Sequence, residues 1–525
     1  MTAGARVKRS TWTCFLRGLL ALAFLAPAAC NRPYKSEGEK LARNYCASCH
    51  AFPEPELLDK KTWESGVLPQ MGRRLGVSTG SMFNDAFRNP YMMVLNKAVS
   101  EEDWQKIVAY YLSHAPASLP HQSLSVQPLV DPDVFKTGPF VRGMKSSAII
   151  TLLKTDTIHD RIFIGEAGSN TLRIFDFNRR LLSSLTLGSP PTDLIVEGDS
   201  VLVLESGILD PNDEPKGTLV QYDFAGADSL RSPRVVIDSL FRPVFVQHFD
   251  FARNGAKELL ICEFGNNRGR LGFYKYDGSR YQRQVLDPGP GAIRFEVRDM
   301  TGDGAPDIVA LFAQADERIV LFENDGKGTF AADRQRVLAR FPPVYGSMYF
   351  TMRDFTGDGK LDILYVNGDN FDFSRVLKPY HGVRLLENDG KNNFHERYFF
   401  PAYGAARAEV ADFDKDGHLD ILITSNFADP EHPERGIIFL KNTGRYEFRP
   451  YAFTIASGNQ WNLTATADLN KDGWPDVIIG AMDLGSIAKM QRRFSGQALE
   501  TTRDPILVFE NRMQTEPKEG MRTPR

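Results

Sequence analysis

Residues 299–308 read DMTGDGAPDI, and the same frame returns as DFTGDGKLDI at 354–363, DFDKDGHLDI at 412–421 and DLNKDGWPDV at 468–477. In each copy, positions one, three, five and nine carry side-chain oxygens and position six is glycine. Oxygens on alternate residues, with another four positions later, are how a loop wraps a hard cation, and calcium suits such donors best. Carboxylates this dense repel one another unless a cation sits among them, and the glycine lets the backbone turn and offer the next carbonyl. The first half imitates an EF-hand loop, but no glutamate follows at the twelfth position and an apolar, β-branched run takes its place. A solvated acidic turn explains any one copy; four copies in register weigh against that explanation.

The copies start at 299, 354, 412 and 468, a period long enough for a four-stranded propeller blade with extended loops. Closing segments recur in step: FENDG at 322–326, LENDG at 386–390, LKNTG at 440–444 and FEN at 509–511. A weaker copy lies at Asp250, Asn254 and Glu258, ahead of Leu259 and Leu260. Two earlier units, 145–189 and 190–240, keep the strand rhythm through Arg161–Ile164 and Val201–Leu204 without the acidic loop. Seven units in all are expected to close into an all-β ring.

These repeats resemble FG-GAP or VCBS-type repeats, the calcium-binding blade motif also seen in integrin α propellers, most strongly over 245–512. The resemblance implies about four Ca²⁺ ions. The first copy would bind through Asp299, Thr301, Asp303, the Ala305 carbonyl and Asp307. The second would use Asp354, Thr356, Asp358, the Lys360 carbonyl and Asp362. The third would use Asp412, Asp414, Asp416, the His418 carbonyl and Asp420, and the fourth Asp468, Asn470, Asp472, the Trp474 carbonyl and Asp476. The weaker copy departs from the pattern, which puts a fifth ion in doubt.

Upstream, residues 46–50 read CASCH, the attachment pattern of c-type haem. Two thiols at this spacing reach the two vinyl groups while the adjacent imidazole reaches the iron. A zinc site would want a second ligand pair and a thioredoxin-like motif a βαβ context; neither is visible nearby. Ser36 and Glu39 form a capping box for a helix leading into this turn. Ser100 and the acidic residues after it start a second helix, with Trp104, Ile107, Val108, Tyr111 and Leu112 on one face. Residues from about 36 to 115 resemble a class I cytochrome c domain, whose first and last helices cross. The resemblance implies one haem c on Cys46 and Cys49, with His50 as one axial ligand and a methionine as the other. Met71, in the proline-stiffened stretch 67–72, is the leading candidate; Met82, Met92 and Met93 compete. Trp63 and Trp104 are read as packing around the haem edge.

The chain has 525 residues, 42% hydrophobic and 25% charged, which suits a globular protein of at least two domains. A formal net charge of -3 gives no reason to propose nucleic acid as a partner. Arg6, Lys8, Arg9 and Arg17 precede an apolar run from Gly18 to Ala29, too short to span a bilayer and suited to export. Ala28 and Ala29 before Cys30 resemble a bacterial lipoprotein signal with Cys30 as the lipidated residue; Pro27 departs from that pattern and keeps a soluble periplasmic form open. Cys262 sits in an apolar run and reads as a buried small hydrophobe.

The expected organisation is a lipoprotein-type signal over 1–29, a small all-α cytochrome c domain over 30–115, a proline-containing linker along the propeller surface over 116–144, a seven-bladed all-β propeller over 145–512 and a disordered polar tail over 513–525. The favoured function is haem c electron transfer at the cell envelope, on its periplasmic or outer side, held by a lipid anchor. The propeller would dock a redox protein or bind a protein or carbohydrate ligand. The alternative is a periplasmic dehydrogenase working at the propeller mouth, near 367–382, Asn426, Phe427, Glu431 and His432, and passing electrons to the haem. The electron carrier is favoured over the enzyme because one haem motif and several calcium motifs are visible and no second redox centre is.

Overall fold

Each acidic turn is the hairpin between the first and second strands of a four-stranded sheet, and the second strand explains the apolar run that follows it. Asp307–Phe312, Asp362–Asn367, Asp420–Ser425 and Asp476–Ala481 are buried at every position, so both faces are apolar rather than alternating. Fourth strands such as Phe330–Arg340 lie at the rim, are mostly exposed and carry the charges.

In this computed structural model, residues 34, 36–77, 98–144, 146, 149–226, 229–369, 376–482 and 504–512 are described. Cys30, the signal, the tail from 513, Met82, Met92, Met93 and Asn370 lie outside the described residues. Among the described residues, the strands form seven sheets. Their innermost strands, beginning at Ile150, Pro191, Pro243, Ala292, Ser347, Ala405 and Trp461, neighbour one another around a closed circle. The chain is thus a seven-bladed β-propeller, and the blades are numbered one to seven in that order. Buried aliphatic and aromatic side chains fill the wedge between neighbouring blades, as where Phe251, Phe273, Phe322 and Phe330 meet between blades three and four.

The segment 116–144, expected as a linker along the propeller surface, supplies strands to two blades of the ring. Leu129–Val130 adds a parallel strand to the outside of blade six. Phe135–Pro139 pairs antiparallel with Ile506–Asn511 and is the outermost strand of blade seven. Pro128, Pro132 and Pro139 hid this strand from a composition-based reading, yet an outermost strand tolerates proline because one edge needs no donors.

Ahead of the ring, helix α1 (Glu37–Cys46) and helix α2 (Glu101–His114) cross where Gly38 lies against the Lys106–Tyr110 backbone; a Cβ on Gly38 would come within 2.5 Å of the Lys106 carbonyl oxygen. Ser36 Oγ accepts from Glu39 N at 3.1 Å and Ser100 Oγ from Asp103 N at 3.0 Å, so both expected N-caps form. Trp63, Trp104, Ile107 and Tyr111 are buried together, while Val108 and Leu112 are only partly so and Tyr110 joins the core instead. Met71 lies in a short helix, Leu68–Arg74, rather than in the expected loop: Pro69 falls in its first turn, where a missing N–H costs nothing. Among the described residues, no helix is long and apolar enough to cross a membrane.

Candidate functional site

Helix α1 ends at Cys46, and the chain turns through Ala47–Cys49 to bring His50 under partial cover. Ser48 Oγ donates to the Tyr45 carbonyl at 2.7 Å and closes that turn. The His50 Nδ1–H donates to the Ala51 carbonyl at 2.8 Å, because a carbonyl can only accept; Nε2 therefore keeps its lone pair. Burial lowers the His50 pKa, which favours the neutral, ligating form. Cys46 and Cys49 are free thiols. Burial pushes the Cys46 thiol up to about 11, so it is protonated at neutral pH. Cys46 and Met71 both border the apolar cluster of Leu58, Trp63, Leu68 and Tyr111. Two thiols and an imidazole with an unengaged Nε2 in one turn, with Cys46 and the Met71 thioether beside one apolar cluster, are a donor set that fits a c-type haem.

This helical unit rests on the propeller. Val344, from the link between blades four and five, is part of its apolar cluster, and Tyr380, from blade five, packs against it. Arg74 Nη2 donates to Asn267 Oδ1 at 3.2 Å, and Arg340 Nη2 to the Cys49 carbonyl at 3.4 Å. Asn267, Val344 and Tyr380 lie at the strand ends opposite the acidic turns, so the CASCH turn and the acidic turns occupy opposite faces of the ring.

On the acidic face the four turns share one hydrogen-bond scheme. The leading carboxylate holds backbone amides three to five residues on: Asp299 accepts from Gly302 N at 2.7 Å and Gly304 N at 2.8 Å, and Asp354 repeats both distances with Gly357 and Gly359. Asp412 and Asp468 do the same for Asp416 and Gly417, and for Asp472 and Gly473. The third carboxylate accepts from the residue whose carbonyl was expected to bind: Asp303 from Ala305 N, Asp358 from Lys360 N, Asp416 from His418 N and Asp472 from Trp474 N. The residues at the second position sit within the same turns. Thr356 donates to Asp354 at 3.2 Å, Asn470 to Asp472 at 3.0 Å, and Asp414 pairs with Lys441, while Thr301 is exposed.

The last carboxylate of each turn has a second task. Asp307 accepts from Met300 N at 2.9 Å with one oxygen and from Asn324 N at 2.8 Å with the other; Asp362, Asp420 and Asp476 repeat this with Phe355 and Asn388, Phe413 and Asn442, and Leu469 and Asn511. The asparagines of the FEN and KN segments are thus latches tying the third strand to the turn, a role that their recurrence in step signalled without explaining. Burial raises the pKa of all four carboxyls, Asp420 to about 7 and Asp476 to about 6, and the other acids of each turn add to it. Asp412, Asp414 and Asp420 bring carboxylate oxygens within 4.8 Å of one another, the arrangement a divalent cation would use. Asp250, Asn254 and Glu258 form the same turn in blade three, with Glu258 holding Phe251 N at 3.1 Å.

The described part of the insert of blade five, 367–369 and 376–382, is packed into the blade. His381 is buried, Lys378 likewise, and Asn367 is held by Arg384. Glu431 and His432 instead border a surface groove of about 270 Å³ with His121, Tyr403, Asp429 and Arg435. Asn426 is buried in blade six, its backbone N–H donating to the Gly404 carbonyl at 2.8 Å. Cys262 is fully buried, as expected of a small hydrophobe.

A family model described as FG-GAP-like repeat matches residues 299–365, which contain the first two acidic turns. Human integrin alpha-8 is 28% identical over 102 residues, covering 18% of this chain and 10% of the integrin. Mouse integrin alpha-IIb is 29% identical over 91 residues, covering 16% of this chain and 9% of the integrin. The chain thus spans about a tenth of the length of these curated relatives. Among solved structures, one described as the Dos1 propeller aligns over 69% of this chain and 79% of its own, with a TM-score of 0.41 and 9% identity. The class defined by fold and repeats is a seven-bladed propeller carrying FG-GAP-like repeats, with a helical unit seated on one face.

Proposed function

We propose that the chain is a haem c electron carrier of the bacterial cell envelope, with the propeller as a binding or docking module stiffened by calcium. The observation that supports this best is the turn at 46–50, where two free thiols flank an approach to an imidazole with an unengaged Nε2. A bound haem c supplies one-electron exchange at its iron. The chain's part is to present Cys46 and Cys49 for thioether bonds, to hold the His50 ring through the Ala51 carbonyl, and to keep water away with the Trp63–Tyr111 cluster. Met71 borders that cluster and is the thioether proposed for the remaining axial position.

The four acidic turns are proposed to take calcium through the oxygens named above, and Cys30 to carry the lipid that holds the protein at the membrane. The integrin resemblance of the repeats supports a protein ligand for the propeller. The dehydrogenase alternative has one feature in its favour, the groove holding His121, Asp429, Glu431 and His432. Protein matured in a host that attaches haem c is expected to show a reduced c-type absorption spectrum and the mass of one haem. A colourless mature protein with two reactive thiols at 46 and 49 rejects the electron-carrier reading, and a second chromophore would favour the dehydrogenase.

A further inference from the structure

We infer that blade four of the propeller is part of the haem-binding site: Arg340, oriented by Asp316, sets the electrostatic field at the CASCH turn and so the reduction potential of the iron. The inference rests on the haem reading above and adds to it a residue from the other folded unit.

Arg340 is the last residue of the outermost strand of blade four, Phe330–Arg340. Its Nη2 donates to the Cys49 carbonyl at 3.4 Å, directly beside the proposed axial ligand, and its Nε donates to Asp316 Oδ1 at 2.6 Å. Asp316 belongs to the turn between the second and third strands of the same blade, and its other oxygen lies 3.4 Å from Arg318 Nε. Arg318 is itself paired with Asp287 at 2.6 Å. The cation at Cys49 is therefore fixed from behind by the blade rather than left as a mobile surface arginine, although its side chain keeps 44% exposure and solvent screens part of its field. The docking is not a lone contact, for Val344 and Tyr380 seat the helical unit on the same face and Arg74 bonds to Asn267.

A fixed positive charge favours the iron state with one fewer positive charge, the reduced one, and a fixed negative charge does the reverse. The two members of the pair therefore pull the potential in opposite directions, and this separates an electrostatic role from a merely structural one. If Arg340 and Asp316 only propped up the turn, losing either would loosen it, admit water and shift the potential in the same direction.

The test is spectroelectrochemical titration of the full-length, haem-loaded protein and of Arg340→Gln, Asp316→Asn and Arg340→Lys, with covalent haem content checked by mass for each. The expected result is a lowered midpoint for Arg340→Gln, a raised midpoint for Asp316→Asn and one close to the parent for Arg340→Lys. Shifts of the same sign in the first two variants, or no shift in Arg340→Gln with haem attached, overturn the inference while leaving the haem reading intact. Absence of covalent haem from the parent protein overturns the haem reading and this inference with it.

Discussion

The carboxylates of an acidic turn hold backbone amides and are proposed to hold a cation as well, and the balance between the two tasks differs by position. Asp303 and Asp358 are exposed and each accepts a single backbone amide, from two residues on, with Lys360 Nζ also on Asp358, so their larger proposed duty is toward calcium. Asp303→Ala or Asp358→Ala should lower the melting temperature clearly in calcium and much less in chelator, because stability linked to a metal vanishes with the metal; equal losses under both conditions would contradict a calcium role. Asp307 instead satisfies buried amides of Met300 and Asn324. Asp307→Ala should cost roughly 2–4 kcal/mol in denaturant titrations even in chelator, since buried donors are left unpaired. A different carboxyl gives a pH signature: Glu317 is buried and pushed up to about 8, mainly by burial, although it accepts from Ser347 N at 2.9 Å and Gly346 N at 3.1 Å. The native state then holds a proton that the unfolded state has released above its ordinary value near 4.3. Its contribution is present in full below that value and is lost as pH rises through about 8. The stability curve of wild type minus that of Glu317→Gln should fall by up to about 1.4 kcal/mol per pH unit across that window, and a flat difference would show that Glu317 titrates normally. At this scale the acidic repeat and the CASCH pentapeptide stand out in the sequence because each keeps a fixed spacing. Glu317 was not, because its burial comes from the link between two blades and nothing local marks it.

Among the elements, the second strands were readable as unbroken apolar runs and both crossing helices as capped amphipathic segments. The strand at Phe135–Pro139 was not, since its pairing partner lies at the far end of the chain and its prolines argue locally for a linker. Phe135 is its anchor: its ring lies 5.4 Å from Phe413, 5.4 Å from Phe439 and 5.8 Å from Phe509, bridging blades six and seven. Phe135→Ala should cost about 3–5 kcal/mol in the unfolding free energy of the ring, the range for truncating a buried aromatic. A change below 1 kcal/mol would mean that the strand is only draped over the blade. Met71 shows the converse failure, because a proline near the start of a stretch fits a rigid loop or the first turn of a helix equally well.

For the whole molecule, the count of repeat units foretold seven blades, but neither the seat of the helical unit nor the opposition of the two faces could be read from a linear pattern. The seat makes its own prediction. Val344 is 8% exposed within the helical unit's apolar cluster, so Val344→Asp should unseat that unit: scattering should report a larger radius of gyration, and proteases should cut near 116–128, while the melting of the ring changes little. An unchanged radius would show that the polar contacts alone hold the two units together. The ring is fastened by a strand made before blade one against a strand that is almost the last to be made. A chain emerging from its amino end can stack blade on blade but cannot lock the circle until residue 511 is available, so its most vulnerable interval is the one just before completion. A premature stop within the last blade would then leave six formed sheets with both an unmatched first edge and an unmatched final one, a product primed to join its neighbours rather than a slightly shortened version of the protein.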